Sequence, residues 1–206
     1  MTNDKIFPES YEGVRLLVER LRGPDGCPWD REQTPDSLKH LLMEECYELL
    51  EAIEEDDAGK LVEELGDVLF HVALQIQIAT ESSRFTQEDV FGSLLDKLVR
   101  RHPHVFGDAR MDDPSEAVPR WDALKRQELA GSDRSILDGV PRAMPALSYA
   151  QAVRDRAARM GFDWESYSGV LDKVVEELRE LHQAESADEK EHELGDVLFT
   201  VVNAAA

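Results

Sequence analysis

The chain has 206 residues, 42% of them apolar, with 44 acidic against 23 basic side chains and a formal net charge of -21. That is enough for one substantial core or two small helical ones, and it argues against a broad nucleic-acid-binding surface. Cys27 and Cys46 are too few for a disulfide scaffold or a zinc site, the start MTNDKIFPES lacks a basic segment joined to an apolar one, and no apolar run approaches the roughly 18 residues of a membrane span, so a cytoplasmic protein is expected.

In chain order, helical spacing of Val14, Leu17, Val18 and Leu21 predicts a first helix over 11–21, ended by Gly23, Pro24 and Gly26. The next segment, CPWD, reads as a rigid loop on which Trp29 is either a plug over a bundle end or a stacking surface for a ligand. Thr34 and Pro35 have the chemistry of a helix N-cap and first position, which predicts a second helix over 35–55. A third is predicted over 58–80, turning strongly apolar from Val68; within it Gly66 implies close approach of a neighbour, and His71 is either a packing residue or a partner to the acids before it. Thr86 with Asp89 marks the start of a further helix that ends in Lys97, Arg100, Arg101 and His102 before Pro103. That basic run fits capping of the helix dipole, and it is also the best local anion-binding candidate in so acidic a chain. A loop over 107–119, a short helix over 119–130, a linker over 131–145 and helical segments over 147–160, 169–183 and 188 to the end complete an all-α reading. The expected domains are 1–130 and 146–206, joined by 131–145.

The chemistry concentrates between Glu44 and Asp67. Glu45 and Glu48, then Glu64 and Asp67, are two carboxylate pairs each spaced i to i+3, which places each pair on one helix face. A turn near Asp56, Asp57 and Gly59 can bring the two helices antiparallel, so that four carboxylates converge. Such convergence is unfavourable without a cation, and the oxygen donor set suits Mg2+ or Mn2+. In an acidic chain such pairs also arise as ordinary solvated surface, but these border the apolar stripes of Leu49, Leu50, Ile53, Leu61, Leu65, Val68 and Leu69.

An internal repeat strengthens the metal reading. EELGDVLF at Glu63–Phe70 recurs as HELGDVLF at His192–Phe199, and EECYEL at Glu44–Leu49 recurs as EELREL at Glu176–Leu181. The second candidate quartet is therefore Glu177, Glu180, Glu193 and Asp196. Only ten residues follow Asp196, so the second unit has no counterpart of the helix bearing Lys97, Arg100 and Arg101; it is expected to be trimmed or to depend on a partner.

The segment GCPWDREQTPDSLKHLLMEECYELLEAI, followed by EELGDVLF, resembles the MazG nucleoside triphosphate pyrophosphohydrolases, and the resemblance extends over almost the whole chain as two MazG-like units, the second incomplete. It implies a MazG-like all-α bundle of the NTP pyrophosphatase type, often homodimeric, that uses Mg2+ to cleave NTPs or dNTPs between the alpha and beta phosphates. Carried onto this sequence, Glu45, Glu48, Glu64 and Asp67 match the metal ligands, with Glu44 as an extra ligand or base; Glu177, Glu180, Glu193 and Asp196 match in the second unit, and Glu176 matches Glu44. Lys97, Arg100 and Arg101 are then expected to meet phosphate oxygens and Trp29 to stack on the base. Activity is expected at the first, complete quartet. The competing expectation is a catalytically weak nucleotide- or metal-binding regulatory module.

Overall fold

The structure, a computed structural model, describes residues 6–129 and 135–205. Its helices are α1 (Tyr11–Arg22), α2 (Pro28–Glu32), α3 (Lys39–Glu54), α4 (Ala58–Glu81), α5 (Gln87–Arg101), α6 (Pro103–Phe106), α7 (Ala117–Leu129), α8 (Ala146–Ala158), α9 (Tyr167–Gln183) and α10 (Ala187–Ala205). No strand occurs among the described residues, and the fold is all-α. By internal packing the chain divides into Met1–Asp108 and Ala109–Ala206, so that α7 goes with the second unit. Part of the segment read as a linker lies outside the described residues; beyond it, Ser135 and Asp138 cap a 3-10 turn at Ile136–Gly139.

In the first unit, the Ser10 hydroxyl accepts from the Gly13 amide at 3.3 Å to start α1. The apolar side of α1 then places Val18 against Leu38, Leu74 and Ile78, with Leu41, Phe70 and Ala73 packed around them. Arg22 ties three elements together at the edge of this core. Its Nη2 lies 2.8 Å from Glu81 at the end of α4, while Nη1 donates to the carbonyls of Asp30 in α2 and Gln33 beyond it.

Two local readings are corrected. CPWD is not a loop: Pro28 occupies the first turn of α2, and Trp29 is 53% exposed, which removes the plug. The helix expected from Pro35 begins only at Lys39. The Thr34 hydroxyl does accept from the Ser37 amide at 3.1 Å, and the Ser37 hydroxyl accepts in turn from the Thr34 amide at 3.0 Å. This reciprocal pair closes a turn over 35–38 rather than a helix.

Helices α3 and α4 form a hairpin with a three-residue connection, in which Asp56 takes a φ of +53° and the Asp57 carboxylate accepts from the Gly59 and Lys60 amides. Thr86 caps α5 as expected, and the Asp89 carboxylate accepts in return from the Thr86 amide, which makes the pair a capping box. None of the residues of α5 is buried, and Phe91, Leu94, Leu95 and Val99 are exposed.

The second unit repeats the hairpin with α9 and α10. Ser166, which aligns with Thr34, here caps a full helix, accepting from the Gly169 amide at 3.2 Å. Ser186 aligns with Asp57 and caps α10, accepting from the Glu189 amide at 3.1 Å. Val170 is buried where Leu38 is buried in the first copy. Positions related by the two sequence offsets thus share the cap before the second helix of the hairpin and a buried apolar residue in the first, while the start of the first helix differs between them.

Candidate metal centre

The i,i+3 spacing on α3 and the short turn into α4 bring Glu45, Glu48 and Glu64 together, with one carboxylate oxygen from each lying within 4.8 Å of the others. The α9–α10 hairpin does the same with Glu177, Glu180 and Glu193. Each set has the number and hardness of donors that suit an oxygen-liganded divalent cation.

The electrostatics of the first set are those of crowded like charges. Burial, then the charges of Asp67 and Glu48, raise the Glu45 carboxyl above its ordinary range, with the nearby His71 acting in the opposite sense. Glu64 is raised by desolvation and by Glu48, Glu63, Asp67 and Glu45. In the second set Glu180 is raised by desolvation and by Glu177, against the lowering effect of Lys173.

Asp67 and Asp196 do not join the close groups, although each is spaced i+3 from a member. Both groups consist wholly of Glu, and an Asp carboxylate on the same face is one methylene shorter. Asp67 is exposed and acts on Glu45 through its charge; Asp196 faces His192 on its own helix, at 3.5 Å. Glu44 is exposed beside Glu45, and Glu176 is paired with Lys173. Lys97, Arg100 and Arg101 occupy the last two turns of α5, with Lys97 and Arg100 exposed.

Two residues around the sets stand out. His71 is 7% exposed, and its Nε2 lies 3.6 Å from Glu45 Oε1, so it belongs beside the acids as well as in the packing. Lys173, which the sequence reading passed over, sets its Nζ 2.7 Å from Glu176 and 2.8 Å from Glu177. Its signal was a Lys with acids three and four positions later on one helix face. Gly66 has no neighbour within 4 Å of where a Cβ would stand, so the close approach expected there is absent among the described residues.

The family model of the MazG nucleotide pyrophosphohydrolase domain matches residues 33–106, the stretch that contains the first set. The chain is 46% identical over 193 residues to the nucleoside triphosphate pyrophosphohydrolase/pyrophosphatase MazG of Thermotoga maritima, covering 94% of this chain and 74% of that protein. The chain belongs to the MazG family. Its similarity to the nucleoside triphosphate pyrophosphohydrolase of Escherichia coli K12 is 44% over 196 residues, 92% of this chain and 74% of that one. A MazG relative named in the same way from Mycobacterium tuberculosis is 38% identical over 161 residues, 75% of this chain and 48% of its own length.

Proposed function

We propose that this MazG chain is a nucleoside triphosphate pyrophosphohydrolase that cleaves NTPs or dNTPs between the alpha and beta phosphates, giving NMP and pyrophosphate, with Mg2+ or Mn2+ held by Glu45, Glu48 and Glu64, and with Asp67, which stands outside that close group, drawn in as a fourth ligand when the ion binds. The observation that carries this reading is the convergence of three carboxylates, from two helices, in a chain whose relatives bear that activity in their names. Convergent, mutually raised carboxylates fit a cation, because opposite charge removes the repulsion that Glu45 and Glu64 experience. When bound, the metal would supply neutralisation of phosphate charge and a more acidic water.

The chain's own residues have distinct tasks in this reading. Glu44, exposed and adjacent to Glu45, accepts a proton from the attacking water. Lys97, Arg100 and Arg101 neutralise phosphate oxygens, and the exposed indole of Trp29 offers a face to the base. The second set, Glu177, Glu180 and Glu193 with Asp196 beside it, has the same donor chemistry and carries its own cation, Lys173, where the first copy has Leu41. The exposed apolar residues Leu50, Ile53, Val62, Leu65 and Val72 on α3 and α4, together with those of α5, support a homodimer in which a second copy covers them.

Incubation with each NTP and Mg2+, followed by product separation, tests the reaction: NMP and pyrophosphate are expected, and NDP with phosphate, or no turnover, overturns it. Glu64→Gln and Glu193→Gln, made separately, assign the working set. Loss of a ligand there lowers kcat/KM by about 100-fold or more, equivalent to a few kcal/mol of lost charge stabilisation.

A further inference from the structure

His71 is buried in α4 with its imidazole edge-on to Phe70, ring centroids 5.8 Å apart. Its Nδ1 is buried and has no hydrogen-bond partner among the described residues. A buried N–H without an acceptor is costlier than a bare ring nitrogen, so the neutral imidazole carries its proton on Nε2. That nitrogen is the one 3.6 Å from Glu45 Oε1, about half an ångström beyond hydrogen-bond reach. A small rotation of either side chain closes the gap.

The second copy provides an independent comparison. Thr200 aligns with His71 and is also buried, but its hydroxyl donates at 2.8 Å to the carbonyl of Asp196 within its own helix and so is committed there. The glutamate equivalent to Glu45 is Glu177, only 5% exposed, and Lys173 from α9 holds it at 2.8 Å. Both copies therefore place a nitrogen donor against the same carboxylate, from α4 in one and from α9 in the other. Two unrelated side chains meeting one requirement point to the carboxylate rather than to packing at either donor.

We infer that His71 is a positioning residue: its Nε2–H fixes one oxygen of Glu45 and leaves the other aimed at Glu48 and Glu64. This rests on the metal reading of the first set. A carboxylate ligand held in this way loses less freedom when it binds a cation, and removal of such a supporting donor typically weakens metal affinity by about 10–100-fold.

The test uses the full chain carrying Glu193→Gln, so that the second set is short of a ligand, with Mn2+ alone titrated calorimetrically in the absence of nucleotide. His71→Phe keeps the ring and removes the donor; His71→Gln keeps a donor near the place of Nε2. The expected result is a 10–100-fold weaker Mn2+ affinity for the Phe variant and an affinity within about threefold of the parent for the Gln variant. Should the Phe variant fail to melt cooperatively, His71→Met carries the same contrast. Equal affinities for parent and Phe variant, or equal weakening by Phe and Gln, overturn the positioning role while the metal reading stands. Absence of Mn2+ binding in the parent overturns the metal reading of the first set, and the role of His71 with it.

Discussion

Glycine at two positions in the first unit serves opposite ends, and substitution separates them. At Gly13 a Cβ would lie 1.8 Å from the Pro8 carbonyl oxygen, so Gly13→Ala forces the chain leading into α1 to move. The expected loss is about 1–3 kcal/mol, read by denaturant unfolding. Gly66 sits inside α4 with open space around it, and Gly66→Ala is expected to stabilise the protein by about 0.5–1 kcal/mol. A lowered melting temperature for Gly66→Ala would mean that another copy approaches there. The same scale shows what residue spacing can and cannot tell. It predicted that Glu45, Glu48 and Glu64 share a centre, because helical periodicity fixes direction. Periodicity does not fix reach, and so the shorter Asp67 and Asp196 stood level with the glutamates in the sequence. His71 was legible only as an ambiguity, since its proximity to Glu45 depends on how α3 packs on α4.

At the scale of elements, the edge where α1, α2 and α4 meet depends on Arg22. Its side chain is 7% exposed while that of Glu81 is 37% exposed, so the pair is only half shielded. Arg22→Met removes hydrogen bonds to a carboxylate and to two carbonyls at once, and is expected to cost about 1.5–3 kcal/mol. Burial raises the Glu81 carboxyl, but hydrogen bonds from Arg22 and Gln77 and the guanidinium charge outweigh it, leaving the group below its ordinary value of 4.5. A depressed carboxylate contributes stability above its unfolded pKa and loses it as pH falls through the folded one. The wild-type chain should therefore lose an increment of stability below about pH 4.5 that Glu81→Gln lacks at every pH, and parallel acid titrations of the two would show it. A helix start was legible where a cap meets a long amphipathic run, as at Thr86. The same reading failed at Thr34, where Ser37 offers a second hydroxyl and the two close a turn on themselves. The α2 helix was missed for a related reason: its five residues are too few to show a period.

For the whole molecule, the cost of the converging acids should appear in its stability. Glu45 and Glu64 have raised folded pKa values, so their favourable contribution is present below the unfolded value near 4.5 and is lost as pH rises through the folded values. Once the pH has risen through the folded values the carboxylates are ionised and repel, and a divalent cation that binds only the folded state offsets this. Mg2+ or Mn2+ at about a hundredfold excess over Kd should raise the melting temperature by about 5–10 °C at pH 7.5, and by much less at pH 5.0 where protons compete. Equal shifts at the two pH values would separate metal binding from these carboxylates.

The three-residue connection between α3 and α4 has a consequence beyond the chemistry. All members of the first set lie in one stretch shorter than two average helices and a turn, so the set can assemble as soon as that hairpin closes, without waiting for distant parts of the chain. A function-bearing unit so local in sequence can be duplicated whole by copying a short length of gene. Two such stretches occur in this chain with their acids at matching positions, while the donors beside them, His71 near Glu45 and Lys173 near Glu177, come from different helices of the hairpin.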